Sequence, residues 1–337
     1  MPKNVLVTYD PGEKKKAVIA DVLGATARIT YLTEVSGSAR QRILAETDAV
    51  LGKSLSHREI PPEDLNSMTR LCFIQTVFAG ADAIPFEHIP EQIIVANNPG
   101  AFAQPIAEHV LAMTLCLAKS LLVNHHLLAQ GRFEQNVWNK PLKGRICGII
   151  GLGGNGRETA AIMQAVGMKV FGINRSGESD LPLDFLGTMQ DLPRLLRESD
   201  VLVLCVPLTR QTHDLIGEQE LRQMKPGAML INVARGDVIN QGALYRHLQD
   251  NPNFCAGIDT WWKEPGTHGA FALDYPFFDL PNLLGSPHNA DDVPGIMTEA
   301  VKRATENIRQ FLNNEPIVGR VDRSDYQGLD AVRAGKQ

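Results

Sequence analysis

A glycine-rich segment in the middle of the chain gives the first indication of chemistry. The apolar run at 146–150 is typical of a buried parallel strand, and a helical pattern over 157–166 follows the turn G-L-G-G-N-G. In that context Gly151 permits the tight turn, Gly153 the approach of a pyrophosphate, and Gly156 the packing of helix on strand. The helix N-terminus attracts phosphate. We expect dinucleotide contacts from Gly151, Gly153, Gly154, Asn155 and Gly156.

Three polar side chains further along the chain could act on a bound molecule. Arg235, Glu264 and His288 each lie at or just beyond the end of a predicted strand of one parallel sheet. Ligands collect at that edge, so the three side chains are expected to converge. Taken singly, each has an ordinary interpretation: a surface arginine, a glutamate before a proline turn, a loop histidine. Together, a guanidinium, a carboxylate and an imidazole can bind an anion and move a proton.

The remaining histidines are interpreted as structural or solvent-facing. His109 lies within a helix, where we expect a structural hydrogen bond. No set of His, Asp and Glu has metal-ligand spacing, so no metal site is predicted.

The loop after the second strand of the nucleotide unit bears on the choice of nicotinamide cofactor. A NAD-selective fold carries Asp or Glu there, whereas the strand at 169–173 ends in Asn174-Arg175-Ser176. Arg175 and Ser176 could donate hydrogen bonds to a 2′-phosphate, which favours NADP(H) over NAD(H). The alternative is that Arg175 is an ordinary exposed arginine and Asn174 alone meets the ribose.

Composition limits the class of protein. The chain has 337 residues, 44% hydrophobic and 21% charged, which is typical of a soluble globular protein of two domains. A net charge of −5 without a long basic run argues against nucleic acid, and we expect neither a signal peptide nor a membrane-spanning segment. Five cysteines without C-x-x-C pairing indicate buried reduced thiols in a cytoplasmic protein.

Strand-like and helical segments alternate along the whole chain, which predicts parallel α/β sheets. Five strands are expected before residue 100 and six between 145 and 284. A single long apolar helix over 102–129 is expected to connect the two units. A final helix over 295–313 is expected to return to the first unit, which would then be discontinuous. The tail after 325 is expected to be loosely ordered.

Several motifs in fixed order closely resemble the D-isomer-specific 2-hydroxyacid dehydrogenase family. The resemblance favours its glyoxylate and hydroxypyruvate reductases, because relatives with a basic cofactor loop often take those substrates. Besides the glycine turn, the resemblance rests on 231–236 (INVARG), 259–265 (DTWWKEP), 286–290 (SPHNA), 77–82 (VFAGAD) and 107–109 (AEH). It extends over about 71–313. It implies a Rossmann dinucleotide-binding domain at 101–291 and a discontinuous flavodoxin-like substrate domain at 1–100 and 292–337, both doubly wound, with a cleft between them.

The resemblance also implies a mechanism for reducing a small 2-keto acid to the D-2-hydroxy acid. Arg235 would hold the carboxylate and polarise the keto oxygen, and His288 would be the general acid. Glu264 would hydrogen-bond the imidazole and favour its protonated form. Backbone N–H groups of Ala79 and Gly80 would bind the substrate carboxylate. A homodimer built around the connector helix is implied as well.

The same resemblance assigns a larger set of residues to the cofactor. Beyond the glycine turn, that set is Asn174, Arg175, Ser176, Val206, Pro207, Thr212, Val233, Ala234, Arg235, Asp259 and His288.

Two pairs of residues depart from the family pattern. Trp261-Trp262 stands where one aromatic is usual, which leaves the shape of the pocket open. Asp291-Asp292 follows the His288 loop; the pair would disfavour multiply anionic substrates if it pointed inward, but we expect it to cap the last helix.

Two alternative functions remain: a nicotinamide-sensing corepressor-like scaffold, and a related dehydrogenase acting on formate, phosphite or phosphoglycerate.

Overall fold

The computed structural model describes residues 2–136 and 139–334, and it has two parallel sheets. The strands are β1 Lys3–Val7, β2 Ala27–Tyr31, β3 Ala49–Gly52, β4 Phe73–Thr76, β5 Ile94–Ala96, β6 Ile146–Ile150, β7 Lys169–Ile173, β8 Phe185–Gly187, β9 Val201–Leu204, β10 Met229–Asn232, β11 Cys255–Ile258 and β12 Leu283–Gly285. The helices are α1 Glu13–Leu23, α2 Gly37–Glu46, α3 Pro62–Ser67, α4 Ala103–Ala118, α5 Leu121–Ala129, α6 Gly154–Ala165, α7 Leu192–Glu198, α8 Glu218–Gln223, α9 Gln241–Asp250, α10 Pro265–His268, α11 Ile296–Leu312 and α12 Leu329–Ala334.

The chain divides into two compact units. One comprises residues 1–102 and 293–337, and the other comprises 103–292. These boundaries lie one or two residues from those expected. The first unit is made from both ends of the chain.

The first unit has a five-stranded parallel sheet in the order β2-β1-β3-β4-β5, which is the flavodoxin-like order. Leu6, Val50, Ile74 and Val95 from four of these strands lie in one buried apolar cluster. The returning helix α11 packs against α1 and against β3 and β4, as expected. Asn307 on α11 donates a hydrogen bond to Gln75 Oε1 at 2.6 Å, so the C-terminal segment is tied into this sheet.

The second unit has a seven-stranded parallel sheet in the order β12-β11-β10-β9-β6-β7-β8, which is the Rossmann order extended by one strand. Its central strands are buried and almost wholly apolar, as expected of a parallel sheet covered on both faces. Because all these strands run in one direction, the residues that follow β6, β9, β10, β11 and β12 share one edge of the sheet.

Three expectations about elements were wrong. The long connector helix is two helices, because Ser120 adopts a left-handed φ of 50° and the chain bends by 55° between α4 and α5. β8 is a strand that the sequence did not indicate. The tail after 325 carries α12, in which Leu329 is buried; the part of this expectation that concerns residues 335–337 lies outside the described residues.

Among the described residues, no single helix is long and apolar enough to cross a membrane, and α4 with α5 passes that test only as a bent pair.

Candidate active site

The glycine turn after β6 has the geometry that a dinucleotide requires. Gly151 has a φ of 93°, and a Cβ there would lie 2.6 Å from the Cys205 carbonyl oxygen. A Cβ on Gly156 would lie 1.9 Å from the Gly151 carbonyl oxygen, so α6 packs on the turn too closely for any side chain. Gly153, the N-cap of α6, has open space around it. Gly154 and Asn155 open the helix, so the turn leaves room for a pyrophosphate at its N-terminus.

The loop after β7 is organised by Asn174. Its Oδ1 accepts a hydrogen bond from the Gly177 amide at 2.7 Å, and its Nδ2 donates to the Glu178 carbonyl at 2.7 Å. Arg175 and Ser176 are exposed on this loop. The loop therefore presents a guanidinium and a hydroxyl, while the Asn174 amide holds the turn closed.

The other residues expected to line the cofactor follow successive strands at the same edge. Val206 and Pro207 follow β9, and Thr212 closes that loop by donating to the Pro207 carbonyl at 2.6 Å. Val233 and Ala234 follow β10 and are buried.

Asp259 follows β11 and is buried in the loop that carries His288. Its carboxylate accepts hydrogen bonds from the Ser286 hydroxyl at 2.6 Å and from the amides of Asn289 and Ala290 at 3.2 and 3.3 Å. Asp259 therefore anchors the turn on both sides of His288.

Glu264 and His288 form a direct pair. The His288 Nδ1 lies 2.7 Å from the Glu264 Oε2, and the second carboxylate oxygen of Glu264 accepts from the Trp261 amide at 2.7 Å. The side chains are 39% and 20% exposed, so the pair is reachable from solvent yet partly desolvated.

Burial and pairing act in opposite directions on these two groups. Burial alone would lower the pKa of His288, but the hydrogen bond and charge of Glu264 outweigh it and raise that pKa above its ordinary value. Burial alone would raise the pKa of Glu264, but His288 holds that pKa below its usual range. The pair therefore favours an imidazolium beside a carboxylate.

Arg235 lies near enough to act on both partners. Its positive charge opposes protonation of His288 and favours ionisation of Glu264. The backbone around it is fixed, because Asn232 Nδ2 donates to the Arg235 carbonyl at 2.9 Å and Asn232 Oδ1 accepts from the Ala234 amide at 3.0 Å. The structure thus brings together the three side chains that were expected to converge.

The His288 backbone is held in an uncommon conformation. Its φ is 53°, in the left-handed region, and its amide donates to the Asp259 carbonyl at 2.8 Å. Such a conformation costs free energy in a residue with a side chain and persists where neighbouring contacts fix it.

Comparison with known proteins assigns the chain to a family. Residues 111–290, more than half of the chain, match the model of the D-isomer specific 2-hydroxyacid dehydrogenase NAD-binding domain. The chain belongs to the D-isomer specific 2-hydroxyacid dehydrogenase family. It is therefore an oxidoreductase that transfers hydride between a nicotinamide cofactor and a small 2-keto or 2-hydroxy acid.

Several relatives of this dehydrogenase resemble it over most of their length. It is 30% identical over 250 residues to a hydroxypyruvate reductase of Thermotoga maritima, covering 73% of this chain and 79% of that one. It is 30% identical over 256 residues to a glyoxylate reductase of Aeropyrum pernix, covering 73% and 75%. A solved acyclic imino acid reductase, in complex with NADPH and D-Arg, is 25% identical with a TM-score of 0.76, covering 95% and 100%.

The expected substrate loop of the dehydrogenase belongs to its first unit. Ala79 and Gly80 follow β4 and are partly buried. Asn97 Nδ2 donates to the Ala79 carbonyl at 2.5 Å, and Thr76 Oγ1 donates to the Phe78 carbonyl at 2.8 Å. These bonds hold the loop by its carbonyl groups.

Asp291 and Asp292 do not cap the last helix, contrary to expectation. The N-cap of α11 is Gly295, and the acidic residue in its first turn is Glu299. Asp291 is instead close enough to His288 for their charges to interact, and burial raises the pKa of Asp291.

Ser286, Trp261 and Trp262 support the site, although no such role was expected of them from the sequence. His109 Nε2 lies 2.9 Å from the Ser286 hydroxyl, so His109 makes the structural hydrogen bond that we expected. The indole N–H groups of Trp261 and Trp262 donate to the carbonyls of Ser286 and Ile239, each at 2.7 Å. One sequence pattern could have indicated this role: two aromatic residues that carry an N–H donor lie between the end of a strand and Glu264.

Proposed function

We propose that this dehydrogenase reduces glyoxylate, hydroxypyruvate or a similarly small 2-keto acid, with Arg235, Glu264 and His288 as its catalytic residues. The observation that carries the proposal is the 2.7 Å bond between Glu264 Oε2 and His288 Nδ1 within reach of the Arg235 charge. The relatives named hydroxypyruvate reductase and glyoxylate reductase support the choice of substrate.

Arg235 is proposed to bind and polarise the substrate. A 2-keto acid carries a carboxylate beside a carbonyl group, and a planar guanidinium can donate hydrogen bonds to both at once. Negative charge develops on the keto oxygen as C2 is reduced. A fixed positive group beside that oxygen stabilises the transition state more than the ground state.

His288 is proposed to protonate the keto oxygen. The nicotinamide supplies the hydride when it is bound. Because Glu264 engages Nδ1, the proton is proposed to leave from Nε2 of His288. Glu264 fixes the ring orientation and keeps the imidazole protonated, and in the reverse reaction the neutral imidazole accepts the proton.

The amides of Ala79 and Gly80 are proposed to bind the substrate carboxylate. The bonds that fix the neighbouring carbonyl groups support this proposal, because they hold the peptide units of the loop in one orientation. Preorganised amides bind an anion without the cost of ordering the loop.

NADP(H) is proposed as the preferred cofactor. The loop after β7 offers the exposed guanidinium of Arg175 and the hydroxyl of Ser176, and this loop carries no carboxylate at the strand end that could repel a 2′-phosphate.

A homodimer through α5 is proposed as the working assembly. All nine residues of α5 are at least partly exposed, although the helix is strongly apolar. Leu121 and Leu128 are 55% and 54% exposed, and Phe133 just beyond the helix is 73% exposed. An exposed apolar patch of this kind is suited to a second copy of the chain.

We also propose a cytoplasmic location, supported by the state of the cysteines. All five are free thiols, of which Cys147 is buried and the other four are partly buried rather than buried as expected.

A panel of 2-keto acids tests the proposed activity. Purified protein is mixed with NADPH or NADH, and the loss of reduced-nicotinamide absorbance is followed. Turnover with glyoxylate or hydroxypyruvate, at higher kcat/KM than with larger or dicarboxylic keto acids, is expected. If no 2-keto acid is reduced while cofactor binding is measurable, the proposal is wrong and a nicotinamide-sensing scaffold is favoured.

A further inference from the structure

Trp261 and Trp262 lie between Asp259 and Glu264, and each donates a hydrogen bond from its indole N–H to a backbone carbonyl. Trp261 Nε1 donates to the Ser286 carbonyl at 2.7 Å, and Trp262 Nε1 donates to the Ile239 carbonyl at 2.7 Å. We propose that they are two separate positioning residues: Trp261 holds the loop of His288, and Trp262 holds the loop of Arg235. The inference rests on the proposed roles of His288 and Arg235.

The link from Trp261 to His288 is short. Ser286 precedes His288 by two residues, and its carbonyl accepts the Trp261 bond while its amide donates to the Ile258 carbonyl at 3.0 Å. The Ser286 hydroxyl donates to the buried carboxylate of Asp259 at 2.6 Å. Ser286 is therefore held through its carbonyl, amide and hydroxyl groups. Loss of the Trp261 bond removes one of these three and loosens the segment that positions the imidazole.

The Trp261 backbone acts on the other member of the pair. Its amide donates to Glu264 Oε1 at 2.7 Å, while Glu264 Oε2 lies 2.7 Å from His288 Nδ1. Trp261 thus contacts Glu264 through its backbone and the His288 loop through its side chain. A shift of the indole changes the relative position of the carboxylate and the imidazole.

Trp262 is connected to Arg235 through the turn Gly236–Val238. Ile239 directly follows this turn, and its amide donates to the Gly236 carbonyl at 3.0 Å. The Val238 amide donates to the Arg235 carbonyl at 3.2 Å. The Trp262 bond to the Ile239 carbonyl therefore holds the end of the turn that begins after Arg235.

The Trp261–Trp262 peptide itself packs on the same turn. A Cβ on Gly236 would lie 2.3 Å from the Trp261 carbonyl carbon and 2.5 Å from the Trp262 nitrogen. Only glycine permits this approach. The Arg235 loop and the Glu264 loop are thus in direct backbone contact at the tryptophan pair.

Aromatic neighbours hold the two indoles in place. Trp262 stacks on Phe277, with ring centroids 5.3 Å apart and planes 18° apart. Trp261 packs against Phe278 and Phe271, each at 5.5 Å, and Gly285 leaves the space for its ring. Fixed rings give fixed directions to the N–H groups, which is what a positioning residue requires.

The two positions make different predictions, because one affects proton transfer and the other affects the substrate. Loosening the His288 loop weakens the bond to Glu264, so the imidazole loses its proton at lower pH. The charged groups that act on His288 are Glu264, Arg235, Asp259 and Asp291. Loosening the Arg235 turn weakens binding of the 2-keto acid and leaves the Glu264–His288 pair intact.

Replacement by phenylalanine tests the inference. Trp261→Phe and Trp262→Phe each keep an aromatic ring and remove one N–H donor. For Trp261→Phe, the reductive kcat is expected to fall about five- to tenfold, and the alkaline limb of the pH profile to move to lower pH. For Trp262→Phe, the KM of the keto acid is expected to rise about five- to tenfold, and the alkaline limb is expected not to move to lower pH. The KM of the reduced cofactor should stay constant in both.

Two controls separate lost donors from lost packing. Incorporation of 3-benzothienylalanine at either position keeps the fused ring and replaces the N–H by sulfur, and it should reproduce the effect of the phenylalanine variant. Phe311→Leu removes a partly buried ring that stacks on Phe73 in the first unit, and it should leave both the pH profile and the KM of the keto acid unchanged.

The inference is overturned if both variants lose thermal stability equally with an unchanged pH limb and an unchanged KM, since that is a purely structural effect. It is also overturned if the benzothienyl proteins behave as wild type. If His288→Gln retains full activity, the proposed catalytic roles fail first; if His288→Gln is inactive and the tryptophan variants are normal, only the positioning roles fail.

Discussion

The imidazole of His288 and the carboxylate of Glu264 meet at 2.7 Å across a sequence separation of 24 residues. The two residues follow neighbouring strands, β12 and β11, which pair in parallel through Ile258 and Gly285. The pairing of these strands brings the two loops to one edge, so the geometry of the site depends directly on the register of the sheet.

Removal of the Glu264 charge should change the pH dependence of reduction. The pKa of His288 is raised above its ordinary value, so the acid form that donates the proton persists below that raised pKa and is lost as pH rises through it. In Glu264→Gln the amide can still accept a hydrogen bond, but the charge is gone. We expect the alkaline limb of the reductive kcat/KM to move to lower pH and the rate at neutral pH to fall by about tenfold or more.

The check is a pH profile of both reaction directions. Oxidation of the hydroxy acid needs the neutral imidazole, so its acidic limb should also move to lower pH in Glu264→Gln. Limbs at the wild-type pH in both directions would show that Glu264 does not set the protonation of His288.

Substitution of Arg175 should affect the KM for NADPH and the KM for NADH differently. In Arg175→Ala the loop after β7 loses the guanidinium proposed to bind the 2′-phosphate, so the KM for NADPH should rise about tenfold while that for NADH changes little. Arg222→Ala, on α8 and paired with Glu218, is the matched control and should alter neither value. Equal losses for both cofactors in Arg175→Ala would contradict the preference for NADP(H).

A methyl group at Gly236 should disrupt the site from within. The added Cβ would lie 2.3 Å from the Trp261 carbonyl carbon, so the loops carrying Arg235 and Glu264 must separate. Gly236→Ala is expected to lower the melting temperature and to reduce kcat/KM by about a hundredfold. Gly227→Ala, where the added Cβ meets open space, is the control and should retain activity. A fully active Gly236→Ala enzyme would show that the close contact is not required.

Charged residues on α5 should prevent dimer formation. Leu121 and Leu128 are the most exposed leucines of this helix, so a Leu121→Glu, Leu128→Glu double variant is expected to elute as a folded monomer in light-scattering chromatography. Lys169→Glu, on an exposed strand position away from α5, is the control and should remain dimeric. A wild-type protein that is monomeric at micromolar concentration would contradict the proposed assembly.

The sequence allowed most of the fold and the site to be predicted, because both depend on patterns that are local in the chain. Buried parallel strands such as Ile146–Ile150 can be recognised as continuous apolar runs. The glycine turn can be recognised because its glycines stand where a side chain would collide with the backbone. Arg235, Glu264 and His288 were expected to lie close together because each follows a strand of one parallel sheet. The family resemblance, which rests on the order of their motifs, then implied a role for each.

Features that depend on tertiary contacts could not be predicted in this way. Ser120 breaks the connector helix through a left-handed φ, and no glycine or proline marks that position. The strand Phe185–Gly187 is three residues long, too short to show a period. The indole N–H groups of Trp261 and Trp262 donate to carbonyls 25 and 23 residues away, and the local sequence does not indicate which carbonyls accept these bonds.

The most direct test of the central claim is the turnover of His288→Gln. We predict that reduction of glyoxylate or hydroxypyruvate falls by at least about a hundredfold while the Kd for the reduced cofactor stays within a factor of about two. His268→Gln, an exposed histidine on α10, should retain the wild-type rate. Retention of most of the activity in His288→Gln would contradict the assignment of His288 as the general acid.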